Sequence, residues 1–414
     1  MTHPEACAYG EYAQVRNWTS VAEFCESSWD AGVHVIALPD GRHLDVQIGG
    51  DAAQLAGTRG RALPVFFSGA VVPRTGKTGP FFSGSGIAER LSSPFIAVSD
   101  PVVDESSELP LGWYTGRARQ GLQNIIVHIL HTAQDRFGEL VLIGGSGGGF
   151  ASILFADRLG ASAFVWNPQT DLLKYAPPVV RQYVGAAMEL NADEVLDADY
   201  GQRSELLEGS GIQHLVTTPR GPGLRRLAYL QSASDWHVGV HATPFLRERG
   251  LTYRAKGVWS DGAGRAMLLA NFSSGHTPPP YQAILRGIEL FLIPEGTAGD
   301  VLLSLQHQGL LPNVDEDNAP RDLVDDRSTI EANLRLVVTE DGPSKQLRLD
   351  WGNLPKGFGG ITATFRASDG EILFPTDKDP YATSLDRVDT PHHTLSATVV
   401  DGLGQQLCNL RPTQ

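Results

Sequence analysis

The sequence predicts an α/β protein: a doubly wound, mostly parallel sheet carrying a helical lid, followed by a small antiparallel β-domain. Three observations lead there. Short continuous apolar runs at 63–67, 95–98, 140–143, 163–166, 227–231 and 251–259 alternate with helix-length stretches, the pattern of parallel strands covered on both faces. A long stretch, 171–226, breaks that rhythm without ending it. Beyond residue 328 the apolar period drops to two, as in half-buried antiparallel strands.

Taken in order, Val33-His34-Val35-Ile36-Ala37-Leu38 and Leu44-Asp45-Val46-Gln47-Ile48 flank Pro39-Asp40-Gly41, whose Asp-Gly pair tolerates the positive φ of a tight turn. An N-terminal hairpin is expected, giving the sheet antiparallel strands at one edge. Apolar residues at 122, 125, 126, 129 and 130 predict a helix from Leu122 to Phe137. Further helices are expected over 151–159 and 281–292. Within the insertion, helices are expected near 178–196 and 202–208.

The segment 297–327 contains Asp315-Glu316-Asp317 and Asp325-Asp326, and reads as a solvated acidic linker. Runs at 334–338, 347–351, 361–365 and 395–399, beside the turn pairs Asp341-Gly342, Asp369-Gly370 and Asp401-Gly402, predict a β-sandwich-like unit over 328–414. The organisation is therefore 1–296 with a lid at 171–226, a linker at 297–327, and 328–414. No internal repeat is present.

Composition narrows the function. With 33 basic and 47 acidic residues the formal charge is -14, which repels a phosphate backbone, and no basic patch offsets it; no nucleic-acid partner is expected. Cys7, Cys25 and Cys408 are too few and too far apart for a disulfide framework or a Cys-based zinc site, so a reducing compartment is expected. No stretch approaches the roughly 18 apolar residues of a membrane span, and the start lacks a basic region followed by an apolar one, so a cytoplasmic location is expected.

The chemistry centres on Leu140-Val141-Leu142-Ile143-Gly144-Gly145-Ser146-Gly147-Gly148-Gly149-Phe150-Ala151. A strand runs into a serine with glycine at both second neighbours, and a helix follows at once. Such a turn excludes Cβ atoms and leaves the serine projecting from the carboxyl edge of the sheet. A dinucleotide loop requires a third glycine where Phe150 stands, and a P-loop requires Gly-Lys-Ser/Thr, so a phosphate cradle fits poorly and no cofactor is expected.

A nucleophilic serine needs a base and an orienting acid, here in the chain order Ser, Asp, His. Asp235 follows the apolar run 227–231 after a short polar turn. His276 lies in the loop Phe272-Ser273-Ser274-Gly275-His276-Thr277 after the next strand and before the helix at 281–292.

Other residues compete for these roles. His237 and His241, spaced i and i+4, can share a face with Asp235 and bind zinc, but without H-E-x-x-H the nearer reading is pocket lining or capping, and no metal is expected. Asp261 is the alternative acid, in a run that reads as an exposed turn. His128 and His131 fall on the predicted helix 122–137. Trp113, Tyr114, Trp236 and the pairs Phe66-Phe67 and Phe81-Phe82 are candidates for the site mouth, or plain packing.

Strand, Gly-x-Ser-x-Gly elbow, insertion, strand-Asp and strand-loop-His together resemble the α/β-hydrolase superfamily, over roughly residues 30–295. The resemblance implies Ser146 as nucleophile, His276 as general base and Asp235 as orienting acid. It implies an oxyanion hole from the Gly147 N–H and a second donor in Ser68-Gly69-Ala70, either Gly69 or Ala70. The run 144–151 followed by Asn167-Pro168-Gln169-Thr170-Asp171 is also similar to α/β-hydrolase-like proteins of bacterial surface-glycan and accessory-secretion systems.

The expected activity is that of a serine hydrolase on an ester-type acyl bond, with a small-molecule or glycan-linked acyl substrate. Transfer of the acyl group to a sugar or alcohol uses the same residues and remains an alternative. A non-catalytic scaffold that docks a carbohydrate or protein through 328–414 is a further alternative, and the complete triad counts against it. The sequence leaves the oligomeric state open.

Overall fold

A computed structural model describes residues 7–50, 60–188, 199–272, 275–314, 319–341, 344–350, 361–366, 372–373, 384–388 and 395–412. Its main sheet comprises β1 (Val15–Trp18), β2 (Gly32–Ala37), β3 (His43–Gly49), β4 (Leu63–Phe67), β5 (Phe95–Val98), β6 (Leu140–Gly145), β7 (Ser162–Trp166), β8 (Leu227–Ser232), β9 (Thr252–Ala255), β10 (Val258–Ser260) and β11 (Arg265–Ala270). The spatial order is β1-β2-β3-β5-β4-β6-β7-β8-β11-β10-β9. From β5 to β11 the neighbours are parallel.

Antiparallel pairing flanks that block on both sides, at β2–β3–β5 and at β11–β10–β9, where one antiparallel edge was expected. The second edge arises because 251–259 is not one strand but the hairpin β9–β10, turned at Lys256 and Gly257 with φ of 52° and 78°. The parallel strand leading to His276 is β11 instead. Its sequence Arg-Ala-Met-Leu-Leu-Ala has no β-branched or aromatic residue, so local propensity points to a helix and burial between two helical layers decides for a strand.

Alternation along the strands assigns side chains to two cores. Leu140 and Leu142 of β6 face one core with Val65, Phe67, Val165 and Tyr229, while Val141 and Ile143 face the other with Phe66, Phe164 and Leu230. The first core is covered by helices Leu122–Phe137 and Ser146–Leu159, and by insertion residues Val180, Tyr183, Val184 and Leu207 from helices Pro177–Met188 and Tyr200–Gly209. The second is covered by helix Tyr281–Phe291 and by Ala298–His307.

The helix Ala298–His307 corrects the expectation of a solvated linker over 297–327. Thr297 caps it, accepting from the Asp300 N–H at 3.1 Å, and Val301, Leu302 and Leu305 are buried against the sheet. Asp325 and Asp326 form a single exposed turn beyond it. Asp315-Glu316-Asp317, Gly342, the pair Asp369-Gly370 and the 189–196 end of the expected insertion helix lie outside the described residues.

The C-terminal segment forms two antiparallel sheets from β12 (Arg335–Asp341), β13 (Ser344–Asp350), β14 (Thr362–Arg366), β15 (Ile372–Leu373), β16 (Ser384–Val388), β17 (Ser396–Val400) and β18 (Gln406–Leu410). Their orders are β12-β13-β16 and β15-β14-β17-β18. Leu336, Leu347 and Leu349 of one sheet share a core with Ala363, Phe365, Ala397 and Val399 of the other. The loop between β17 and β18 docks on the main body. Leu403 is buried in its first core, the Thr243 hydroxyl donates to the Leu403 carbonyl at 2.6 Å, and a Cβ on Gly404 would sit 2.4 Å from the Gly239 Cα.

Because Leu302 is fully buried, Leu302→Ala is expected to lower unfolding free energy by about 2–5 kcal/mol in urea titration. A change below about 0.5 kcal/mol would return this segment to a solvated linker.

Candidate active site

The turn from β6 into helix Ser146–Leu159 is held by contacts that leave no room for side chains. A Cβ on Gly148 would lie 2.2 Å from the Phe67 carbonyl oxygen, and one on Gly145 would lie 2.0 Å from the Trp166 ring nitrogen. Ser146 itself sits at φ 54°, a left-handed conformation that costs an L-residue of order 1–3 kcal/mol and survives only where the surroundings enforce it. The helix begins at this residue, so the Gly147 N–H has no intrahelical acceptor and points out of the positive end of the helix dipole.

The residues singled out around this serine converge. His276 Nε2 is 3.0 Å from Ser146 Oγ, and His276 Nδ1 is 2.7 Å from Asp235 Oδ2. Asp235 follows β8 and is 1% exposed; its other oxygen accepts the His237 N–H at 3.0 Å. With Nδ1–H donated to the carboxylate, Nε2 is left as the acceptor facing the serine hydroxyl.

The loop after β4 passes alongside. A Cβ on Gly69 would lie 3.3 Å from the Gly145 carbonyl oxygen and 3.8 Å from Ser146 Cβ. The Ser68 N–H is taken by the Tyr114 hydroxyl at 2.6 Å. The next two amides, Gly69 and Ala70, have no acceptor among the described residues.

Two buried amides carry structure that sequence reasoning missed. Gln169 Nε2 donates to Ser146 Oγ at 2.9 Å, and its Oε1 accepts from Trp113 Nε1 at 2.9 Å, so the serine oxygen lies between a donor and the histidine. Asn167 Oδ1 accepts the Ser232 N–H at 2.9 Å and its Nδ2 donates to the Thr277 carbonyl at 2.7 Å. That side chain ties the end of β8, which leads to Asp235, to the loop bearing His276. Both belong to Asn167-Pro168-Gln169-Thr170-Asp171, quoted above only for a resemblance. A buried amide has no spacing or charge signature that would have marked it.

The competing residues are placed elsewhere or differently. Asp261 closes its own turn, accepting from the Ala263 N–H at 2.8 Å and pairing with Arg265. His128 and His131 are exposed on helix Leu122–Phe137. Trp236 stacks on Tyr175, with ring centres 5.7 Å apart. Phe66 and Phe67 line the cavity, whereas Ser83 and Gly84, rather than Phe81 and Phe82, represent the neighbouring loop there.

His237 and His241 are fully buried, their rings 4.6 Å apart, with His237 4.0 Å from His276. Burial pushes His237 well below the usual histidine range and His241 down to about 3, so both are neutral imidazoles. Asp235, His237 and His276 lie close enough to hold a metal, but both His276 nitrogens and His237 Nδ1 already have protein partners, and His241 is not part of that group.

The cavity over Ser146 has a volume of about 470 Å³ and is lined mainly by Phe66, Phe67, Ile87, Ile143, Trp166 and Tyr175. Among the described residues, Tyr175 is the one lining residue contributed by the 171–226 insertion, and no Asp, Glu, Lys or Arg lines the space.

No protein-family model matches the sequence, and no curated protein matches it. Among solved structures, a chain of the glycosylation-associated Gap123 complex of Streptococcus agalactiae is 13% identical, with 66% of this chain and 46% of that chain covered at a TM-score of 0.41. This chain thus spans less than half of that one. Esterase 2 of Thermogutta terrifontis is 16% identical, with 69% and 97% covered at 0.36. The capsule O-acetyltransferase of Neisseria meningitidis serogroup A is 10% identical, with 57% and 88% covered at 0.35. The fold is α/β-hydrolase-like, and the strand order together with the serine-bearing turn after β6 carries that statement.

The buried histidines give a pH prediction. A histidine held at about 3 when folded but near its usual 6.5 when unfolded takes up a proton on unfolding below pH 6.5, so its contribution to stability is present above that pH and is lost as pH falls toward 3. Between pH 6 and 4 the unfolding free energy of the wild type is expected to fall more steeply than that of His241→Gln, by up to about 1.4 kcal/mol per pH unit. Parallel curves in chemical denaturation would contradict it.

Proposed function

We propose that the protein is a serine hydrolase that cleaves an ester-type acyl bond through a covalent acyl-enzyme. The observation that carries this reading is a single imidazole bridging a serine hydroxyl at 3.0 Å and a buried carboxylate at 2.7 Å. Ser146 attacks the acyl carbonyl while its proton passes to His276 Nε2, and the resulting imidazolium is stabilised by Asp235. His276 returns the proton to the leaving alcohol. Water then gives a proton to His276, attacks the acyl-enzyme, and Ser146 recovers its proton as the acid leaves.

The tetrahedral intermediates place negative charge on the former carbonyl oxygen. The Gly147 N–H at the helix start is one donor, and Gly69 or Ala70 supplies the second; Tyr114 supports this by engaging the Ser68 amide and leaving those two available. Gln169 donates to Oγ, which favours the serine oxygen as it loses its proton.

The apolar lining supports an uncharged acyl group larger than acetyl. Water as the acceptor is supported by the His276 ring, which is 28% exposed and so in reach of solvent. Tyr175, from the described part of the 171–226 insertion, forms a wall of the space that takes the acyl group.

Steady-state hydrolysis of p-nitrophenyl acetate, butyrate and hexanoate tests the reading. The longer acyl groups are expected to have the higher kcat/KM, and Ser146→Ala and Asp235→Asn are each expected to lower kcat by about 10⁴-fold or more. Undiminished hydrolysis by folded Ser146→Ala would remove the proposal.

A further inference from the structure

A second cluster of reactive side chains lies well apart in the sequence from the serine site. Cys7, His43 and Asp45 bring one ligand atom each to within 4.8 Å of one another. His43 and Asp45 are two residues apart on β3 and therefore share a face of the strand. Cys7 comes from the N-terminal segment, where the Ala8 N–H donates to the Gly79 carbonyl at 2.8 Å.

Both distances from the His43 ring nitrogen are those of ligands around one cation. His43 Nε2 is 3.7 Å from Cys7 Sγ and 3.5 Å from Asp45 Oδ2. Tetrahedral zinc, with Zn–S of about 2.3 Å and Zn–N or Zn–O of about 2.0–2.1 Å, separates sulfur from nitrogen by about 3.6 Å and nitrogen from oxygen by about 3.3–3.4 Å. One ring nitrogen carries at most one proton and can satisfy only one of two neighbours by donation. Sharing one cation satisfies both.

Two further observations point the same way. The Tyr9 hydroxyl lies 3.1 and 3.0 Å from the two Asp45 oxygens and donates its one proton to that carboxylate, the kind of outer contact that fixes a ligating group. Asp104 is only 5% exposed and its Oδ2 has no hydrogen-bond partner among the described residues. It lies under the segment that holds Cys7, since a Cβ on Gly79 would come within 2.5 Å of Asp104 Oδ1. Replacing the Cys7 thiol proton with a divalent ion adds one positive charge beside the buried carboxylates Asp45 and Asp104.

We propose that Cys7, His43 and Asp45 form a zinc site that fastens the N-terminal segment to strand β3. Thiolate, imidazole and carboxylate are the donor set of a borderline-soft divalent ion, and a water completes four-coordination. The sequence does not advertise it because 36 residues separate Cys7 from His43, and the count of cysteines argues only against Cys-rich sites. The site is independent of the acyl-transfer reading.

The test is metal analysis of the tag-free full-length protein by inductively coupled plasma mass spectrometry, before and after incubation with zinc and desalting, together with absorption spectra of the cobalt-substituted form. About one zinc per chain is expected, with a thiolate-to-cobalt charge-transfer band in the near ultraviolet. Cys7→Ala and His43→Asn are each expected to cut retained zinc at least tenfold, and Cys7→Ala to abolish the band, with circular dichroism confirming the fold. Zinc is expected to raise the Tm of the wild type but not of Cys7→Ala. Less than about a tenth of an equivalent of zinc in the zinc-incubated wild type, or a charge-transfer band that persists in Cys7→Ala, would overturn the site and leave a His43–Asp45 ion pair beside a free thiol.

Discussion

The geometry of the candidate site depends on one constraint: the backbone at 144–149 turns from a buried central strand into a buried helix within a single residue. The glycines that define this turn are buried. Gly148 lies against the carbonyls of Phe67, the last residue of β4, and of Ser68 just beyond it, and Gly145 lies under the Trp166 ring. Ser146 takes the positive φ that these contacts impose. The strain is held by burial on both sheet faces, and by the Asp157–Arg249 pair, with two hydrogen bonds at 2.9 and 2.8 Å, that anchors the far end of the same helix. A side chain fixed this way loses little entropy when it reacts, which is how a rigid scaffold positions a nucleophile.

Around that fixed point the partners arrive on the carboxyl ends of parallel strands and are locked by buried hydrogen bonds. Asn167 bridges Ser232 at the end of β8 to Thr277, so the segments bearing Asp235 and His276 cannot drift apart without breaking one of its two hydrogen bonds. His237 and His241 pack behind His276 as neutral rings, filling space that a charged group could not occupy. Gly239, between them, meets Gly404 from the C-terminal sheets. The β-unit is thereby in direct contact with the segment that shapes the acid side of the site.

Much of this was legible in the sequence where a physical requirement restricts residue types. The glycine-flanked serine after an apolar strand was legible because Cβ atoms are excluded there. Asp235 and His276 were legible because each follows a strand that must end at the same sheet edge. Strand β11 was not, since Ala-Met-Leu-Leu-Ala favours a helix and only its place between β8 and β10 makes it a strand. Helix Ala298–His307 was obscured by acidic residues further along, although Val301, Leu302 and Leu305 carry a core stripe. Gln169, Asn167 and the Cys7–His43–Asp45 cluster depend on contacts across 23 to 110 residues, which no local pattern encodes.

The central claim is that Ser146 is an activated nucleophile. Its most direct test is intact-mass and peptide-mapping analysis after exposure of the folded protein to a fluorophosphonate, which reacts with a serine whose proton an adjacent base can accept. The account predicts one adduct per chain on the peptide containing Ser146, and none on Ser146→Ala. A folded wild-type protein that stays unlabelled, or carries its adduct on another residue, would contradict it.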